Sequence, residues 1–234
     1  MSQVPIIVLI MGNSGSGKTA CLRNLNKGEA AVINVSGKPF PFQTDLPMLV
    51  TSDMKTIASV IKRNDKNCIV VDDAGLAMTF FLFNKVGETG YGKFTQVAKD
   101  FYDMIKAANE CSGDTIVYFF MHTERSEDGA SIKAKTAGKM IDNQLSLESL
   151  FTIVLHCVTD GKRHYLVTQS DGITTAKSPM GMFEPEIDND LKAVDARIRE
   201  YYGMAKLGTP VHKEEQKKPK TSGGTVETVD KIPG

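Results

Sequence analysis

Short apolar runs rich in β-branched and aromatic residues recur along the chain, separated by stretches whose apolar positions return every three or four residues. The runs cover residues 5–11, 30–35, 68–71, 115–121, 151–158 and 165–168. Their length and Val, Ile and Phe content predict strands. Between them, residues 20–25 predict a helix, and a second is expected from a Ser52 cap to about Arg63. Residues 94–108 place Phe94, Val97, Ala98, Phe101, Ile105 and Ala108 on one helical face. Asp188, Asn189 and Asp190 open a last helix that runs to about Tyr202. Strands alternating with helices predict an α/β fold, a mostly parallel sheet with helices on both faces. Asp160-Gly161 between the last two runs predicts a hairpin, and so antiparallel strands at one edge. Residues 37–43 are a proline-interrupted loop. Late in the chain the composition shifts to Lys, Glu, Pro, Gly and Thr, which predicts one domain over residues 1–204 and a disordered polar tail over 205–234.

The first run leads into GNSGSGKT at residues 12–19, which fits G-x-x-x-x-G-K-[ST] at every constrained position. A strand before it and a helix after it are the context this phosphate loop requires. Gly12, Asn13, Ser14, Gly15, Ser16, Gly17, Lys18, Thr19 and Ala20 are therefore the candidate nucleotide-binding residues. Glycines let backbone amides wrap a phosphate, and a helix N-terminus adds the positive end of its dipole. Lys18 reaches the outer phosphates and the Thr19 hydroxyl ligates Mg²⁺. The motif implies a nucleoside triphosphate, with ATP and Mg²⁺ as the expected cofactors.

The run at 68–71 ends in Asp72 and Asp73, an apolar strand closing on two carboxylates. Asp72 is expected on the Mg²⁺ side, and Asp73 is expected to polarise the attacking water. Another reading of Asp73 is a cap on the following turn. A further strand between the phosphate-loop run and this one resembles the RecA/AAA+ division of P-loop proteins, in which an inserted strand carries a polar γ-phosphate contact at its tip. Here the run at 115–121 ends in His122-Thr123-Glu124, which makes His122 the candidate sensor and Thr123 the runner-up.

Taken together, GNSGSGKT, IVVDDA, VYFFMHTE followed by IKAKTAGKM, and TAKSPMGMF resemble phage-encoded RecA-like P-loop ATPases. These are the "AAA domain" proteins of phage recombination modules, related to the Sak group of single-strand annealing proteins. The resemblance spans residues 5–183, and IKAKTAGKM with AKSPMGMF is its more specific part. It implies an ATP-hydrolysing recombination protein of the host cytoplasm that binds single-stranded DNA, promotes annealing or strand exchange, and assembles into a homo-oligomeric ring or filament. Two departures matter. The second strand ends in Ser36-Gly37, where RecA carries its catalytic Glu, so the base is expected at Asp73, with Glu88 and Glu124 as alternatives. Bacterial RadA-like relatives carry a Lys-Asn-Arg-Phe-Gly segment that acts across the subunit interface. KSPMG at 177–181 keeps the Lys and Gly but has Pro179 in the Arg position, which leaves Lys177 as the residue to reach a neighbour's nucleotide.

Lys133, Lys135 and Lys139 lie in residues 131–140, which hold no acidic residue. They are the candidate DNA contacts, three ammonium groups able to neutralise phosphates without reading sequence. Glu124, Glu127 and Asp128 just upstream offer the other reading, an exposed loop balanced in charge. Globally, 28 basic and 28 acidic residues cancel, so no whole-molecule field draws in nucleic acid. Four scattered cysteines without a C-x-x-C fit reduced thiols. Residues 1–4 lack the basic segment of a secretory leader. No run approaches the roughly 18 apolar residues of a membrane span, so no membrane partner is expected. Two other functions share the fold and the phosphate loop. One is a nucleotide-controlled protein-binding module with slow ATPase. The other is a small-molecule kinase, against which stands the single Arg (Arg125) between Arg63 and Arg163, too few for a phosphate-closing lid.

Overall fold

A computed structural model of the chain describes residues 4–137 and 146–211. β1 (Ile6–Gly12) is buried at all of its positions, which a strand covered on both faces requires. It pairs in parallel with β5 (Ile116–Arg125) on one side and β7 (Ile153–Thr159) on the other. Beyond β5 the parallel set continues through β4 (Cys68–Asp72), β2 (Ala31–Asn34) and β3 (Met48–Val50). Beyond β7, β8 (His164–Val167) and β9 (Glu186–Asp188) run antiparallel. The order is β3-β2-β4-β5-β1-β7-β8-β9, with the short β6 (Ile132–Ala134) folded back on the tip of β5. The fold is thus α/β with a mostly parallel, mixed sheet. The expected hairpin is β7–β8: Gly161 takes φ 85°, and Asp160 Oδ1 accepts from the Lys162 and Arg163 amides.

The pleat of β1 sends Ile7, Leu9 and Met11 to one face and Ile6, Val8 and Ile10 to the other. The first face packs against α1 (Met54–Arg63), α2 (Gly75–Asn84) and α3 (Gly92–Lys106) through Ile57, Ile61, Met78, Phe101 and Met104. The second meets Leu191, Val194 and Ile198 of α4 (Leu191–Tyr202), with Cys21 and Leu22 from a short 3₁₀ helix. No helix among the described residues is long and apolar enough to cross a membrane.

Several local expectations change. The segment after the phosphate loop is a six-residue 3₁₀ helix, Thr19–Asn24, so it brings much less dipole than a long α-helix. Asp53, not Ser52, caps α1, its carboxylate accepting from the Thr56 amide at 2.8 Å. β3, β6 and α2 were not foreseen. Residues 205–211 are tied to the domain: the Asn67 side chain donates to Lys206 O and accepts from the Gly208 amide, and the Val211 amide donates to Asp65 O. The rest of the expected polar tail, 212–234, lies outside the described residues, as does Lys139.

Candidate functional site

Register brings the expected chemistry to one end of the sheet. Gly12 at the end of β1 pairs with His122 on β5, and Asp72 ends β4 on the far side of β5. All three strands are parallel, so their C-terminal ends point the same way, into the crevice where open α/β sheets place ligands.

Lys18 is buried, and its Nζ donates to Gly12 O at 2.8 Å and Asn13 O at 3.0 Å, with His122 Nδ1 at 3.4 Å. Burial lowers its pKa, against the supporting charges of Asp73 and Asp72. The Thr19 hydroxyl lies 2.9 Å from Asp72 Oδ2, so the two expected metal-side groups are in contact. Burial, with Asp73 beside it, raises Asp72 to about 6. Asp73 behaves in the opposite way. His122 Nε2 lies 3.4 Å from its Oδ1, and this partner holds the carboxylate below its ordinary value. Ser36, just past the second strand, lowers it slightly further, its hydroxyl donating to Asn34 Oδ1 at 3.1 Å. Asp73 takes φ 57°, and among the described residues it is the one non-glycine with positive φ. Asp tolerates this left-handed region better than most residues, and it turns the chain from β4 into α2. Thr123 donates to Asn13 Oδ1 at 2.6 Å, tying the β5 tip to the loop.

Three features suit the loop to a phosphate. Ser16 Oγ is buried with no hydrogen-bond partner. Gly15 has φ 79° and open space where a Cβ would sit. Gly12 has no room for one, since a Cβ would lie 2.5 Å from Cys157 O. Thr19 and Asp72 are the groups that would hold Mg²⁺. Among the described residues no cluster of three His, Cys, Asp or Glu side chains could hold a metal alone, so phosphate oxygens and water would complete that sphere.

Other candidates sit elsewhere. Glu88 lies beyond the far end of α2 and pairs with Lys85 at 2.8 Å, while Glu124 pairs with Lys133 at 3.6 Å. Neither adjoins Lys18 or Asp72 as Asp73 does. Lys133 is thus half-buried beside an acid on the β5–β6 hairpin instead of standing in an open basic loop. Lys135 is exposed, its amide donating to His122 O. Lys177 is exposed and pairs through its backbone with Val154, whose partner on β1 is Leu9. That level is three residues, about 10 Å, short of the phosphate loop on its own chain.

Sequence reasoning missed three residues that touch the loop from behind: Cys157, His164 and Asn189. They come from β7, β8 and the β9–α4 junction, and no motif spacing links them to residues 12–19. No protein-family model and no curated protein matches this chain in sequence.

Proposed function

We propose that the chain is a Mg²⁺-dependent ATPase of RecA-like P-loop architecture, resembling phage recombination proteins, that uses its nucleotide state to hold single-stranded DNA for annealing or strand exchange. The observation that carries the ATPase reading is the convergence of Lys18, Thr19, Asp72, Asp73 and His122 at the ends of three adjacent parallel strands. Supporting the RecA-like architecture is β5, which lies between the phosphate-loop strand β1 and the Asp72 strand β4. In this reading Lys18 exchanges the Gly12 and Asn13 carbonyls for phosphate oxygens. Thr19 and Asp72 hold Mg²⁺, which when bound neutralises phosphate charge. Asp73 is ionised near neutral pH and orients the attacking water, while His122, within reach of both Lys18 and Asp73, reports the outer phosphate. Lys177 pairs at the level of Leu9, about 10 Å short of its own loop, so in this reading it serves the nucleotide of a neighbouring copy in a ring or filament. The cytoplasm is the compartment this reading implies.

The test is ATP turnover by wild type and Lys18→Ala, with and without single-stranded DNA, at two salt concentrations. Wild type is expected to hydrolyse ATP faster with DNA at low salt, and Lys18→Ala to lose turnover while keeping its melting temperature. Equal turnover in a well-folded Lys18→Ala chain would sink the phosphate-loop reading. Turnover that DNA does not change would favour the nucleotide-controlled protein-binding module. The exposed apolar surface at Phe83, Val86 and Tyr91 gives that second reading a place for a partner.

A further inference from the structure

Three side chains from the late part of the chain reach the carbonyls of the phosphate loop. Ser16 O accepts from the Cys157 thiol at 3.0 Å, and His164 Nδ1 lies 2.7 Å from the same oxygen, donating in the tautomer that carries its proton there. Asn189 Nδ2 donates to Gly17 O at 2.9 Å. Asn189 is itself held, buried to 3% exposure, with its backbone carbonyl accepting from the Arg23 guanidinium at 2.5 Å. Its neighbour Asp190 accepts from the Asn24 side chain at 2.7 Å. The β9–α4 junction is therefore fastened to both the loop and the 3₁₀ helix that follows it.

In a trans peptide the C=O and N–H of one plane point in opposite directions, and no described peptide is cis. Holding Ser16 O outward therefore aims the Gly17 amide inward, and holding Gly17 O outward does the same for the Lys18 amide. Among the described residues neither amide donates a hydrogen bond. The approach is close enough to demand glycine. At Gly17, with φ 100°, a Cβ would lie 2.7 Å from Asn189 Nδ2 and 2.9 Å from His164 Nδ1. A glycine-rich loop left to itself samples many conformations, and ordering it on binding costs affinity.

We propose that Asn189 and His164, with Cys157, are positioning residues that pre-aim the Gly17 and Lys18 amides at a phosphate anion. The proposal rests on the nucleotide-binding reading above and extends it to residues outside every nucleotide motif of the chain. The late hairpin and the β9–α4 junction become part of the phosphate site, although their own side chains need not touch nucleotide.

The test is the ADP dissociation constant of the full chain with Mg²⁺, measured by calorimetry well below the melting transition. Asn189→Ala is expected to weaken ADP by about tenfold, the scale of one net hydrogen bond. Asn189→Asp, the same shape but unable to donate to Gly17 O, is expected to lose at least as much. His164→Ala is expected to weaken ADP, and His164→Asn, whose amide nitrogen stands where Nδ1 stood, to recover it. That rescue is something a purely structural role would not produce. Because His164 is exposed, its two variants decide the matter even if Asn189→Ala fails to fold. Wild-type affinity in His164→Ala and in every folded Asn189 variant would overturn the positioning role and leave the nucleotide reading standing. A wild-type chain that does not bind ADP would overturn both.

Discussion

Asp72 and Asp73 are neighbours in sequence, yet the fold pushes their protonation in opposite directions. Asp72 is 3% exposed and rises to about 6, while His122 and Ser36 keep Asp73 ionised. Between its ordinary value of 3.8 and about 6, the folded chain holds a proton on Asp72 that the unfolded chain has released. The stability gained this way is full below the ordinary value and is lost as pH rises through 6. At pH 8 the nucleotide-free protein therefore carries a destabilising buried charge. Asp72→Asn is expected to stabilise it there, by at most about 3 kcal/mol, while weakening Mg²⁺-dependent nucleotide binding. Urea unfolding at pH 8 and pH 4.5 checks the sign, and a destabilised Asp72→Asn at pH 8 would contradict it. Asp73→Asn is the informative change at the second carboxylate, because Asn also tolerates φ 57° and the turn into α2 is kept. ATP binding is expected to persist and turnover to fall by about a hundredfold or more, the usual range for loss of a proton acceptor. Wild-type turnover in this variant would move the base elsewhere. Both carboxylates were legible in the sequence because an apolar strand ending in acid is a local pattern. Cys157, His164 and Asn189 were not, since only the closure of β7, β8 and β9 beside β1 brings them to Ser16 and Gly17.

Among elements, those with a clean period or a turn signal were legible, and those without one were not. β1, β4, β5 and β7 read as apolar runs, and α3 as a face of regularly spaced apolar residues. α2 has the sequence GLAMTFFLFN, apolar at nearly every position, so neither the helical nor the strand period stands out. Its far end leaves Phe83 68% exposed. β6 is three residues long and exists because β5 runs four residues beyond Met121, giving it an edge to pair with. That hairpin changes what the lysines can do. Lys133 faces Glu124 across the pair, so its charge is largely offset locally, whereas Lys135 projects into solvent. If the hairpin contacts single-stranded DNA, Lys135→Gln is expected to lower the slope of log affinity against log salt by about 0.7, the value of one phosphate contact. Lys133→Gln is expected to lower it by less. A salt titration by fluorescence anisotropy on an unstructured oligonucleotide reads both slopes. Unchanged slopes in the two variants would take the hairpin off the DNA path.

At the scale of the whole molecule, the two ends of the sheet have different work. The C-terminal ends of β1, β4 and β5 carry the polar candidate site, whereas the N-terminal ends of β4 and β5 are closed by a buried ionic network. Arg199 on α4 pairs with Asp195, whose other carboxylate oxygen accepts from the Tyr118 hydroxyl at 3.0 Å. The same guanidinium donates to Asn67 O at 2.6 Å and to Asp114 O and Ala205 O at 2.9 Å each. One side chain thus satisfies carbonyls from the segments entering β4, entering β5 and leaving α4. Nothing in the spacing of residues 67, 114, 195 and 205 marks this network, since it exists only once the sheet and α4 have docked. Arg199→Met fills a similar volume but leaves the Asp195 carboxylate buried without its cation and the Asp114 and Ala205 carbonyls without this donor, while Asn67 O keeps only the Ile116 amide. A loss of about 3–5 kcal/mol is expected, in the range for breaking one side of a buried pair. The double change Asp195→Leu with Arg199→Met removes the stranded charge and is expected to recover part of that loss. Because the network lies about 16 Å down β4 from Asp72, ADP affinity below the unfolding transition is expected to match wild type in both variants. Urea denaturation followed by circular dichroism, alongside ADP calorimetry, separates the two effects. A single variant that weakens ADP binding without lowering the urea midpoint would show that the two ends of the sheet are coupled.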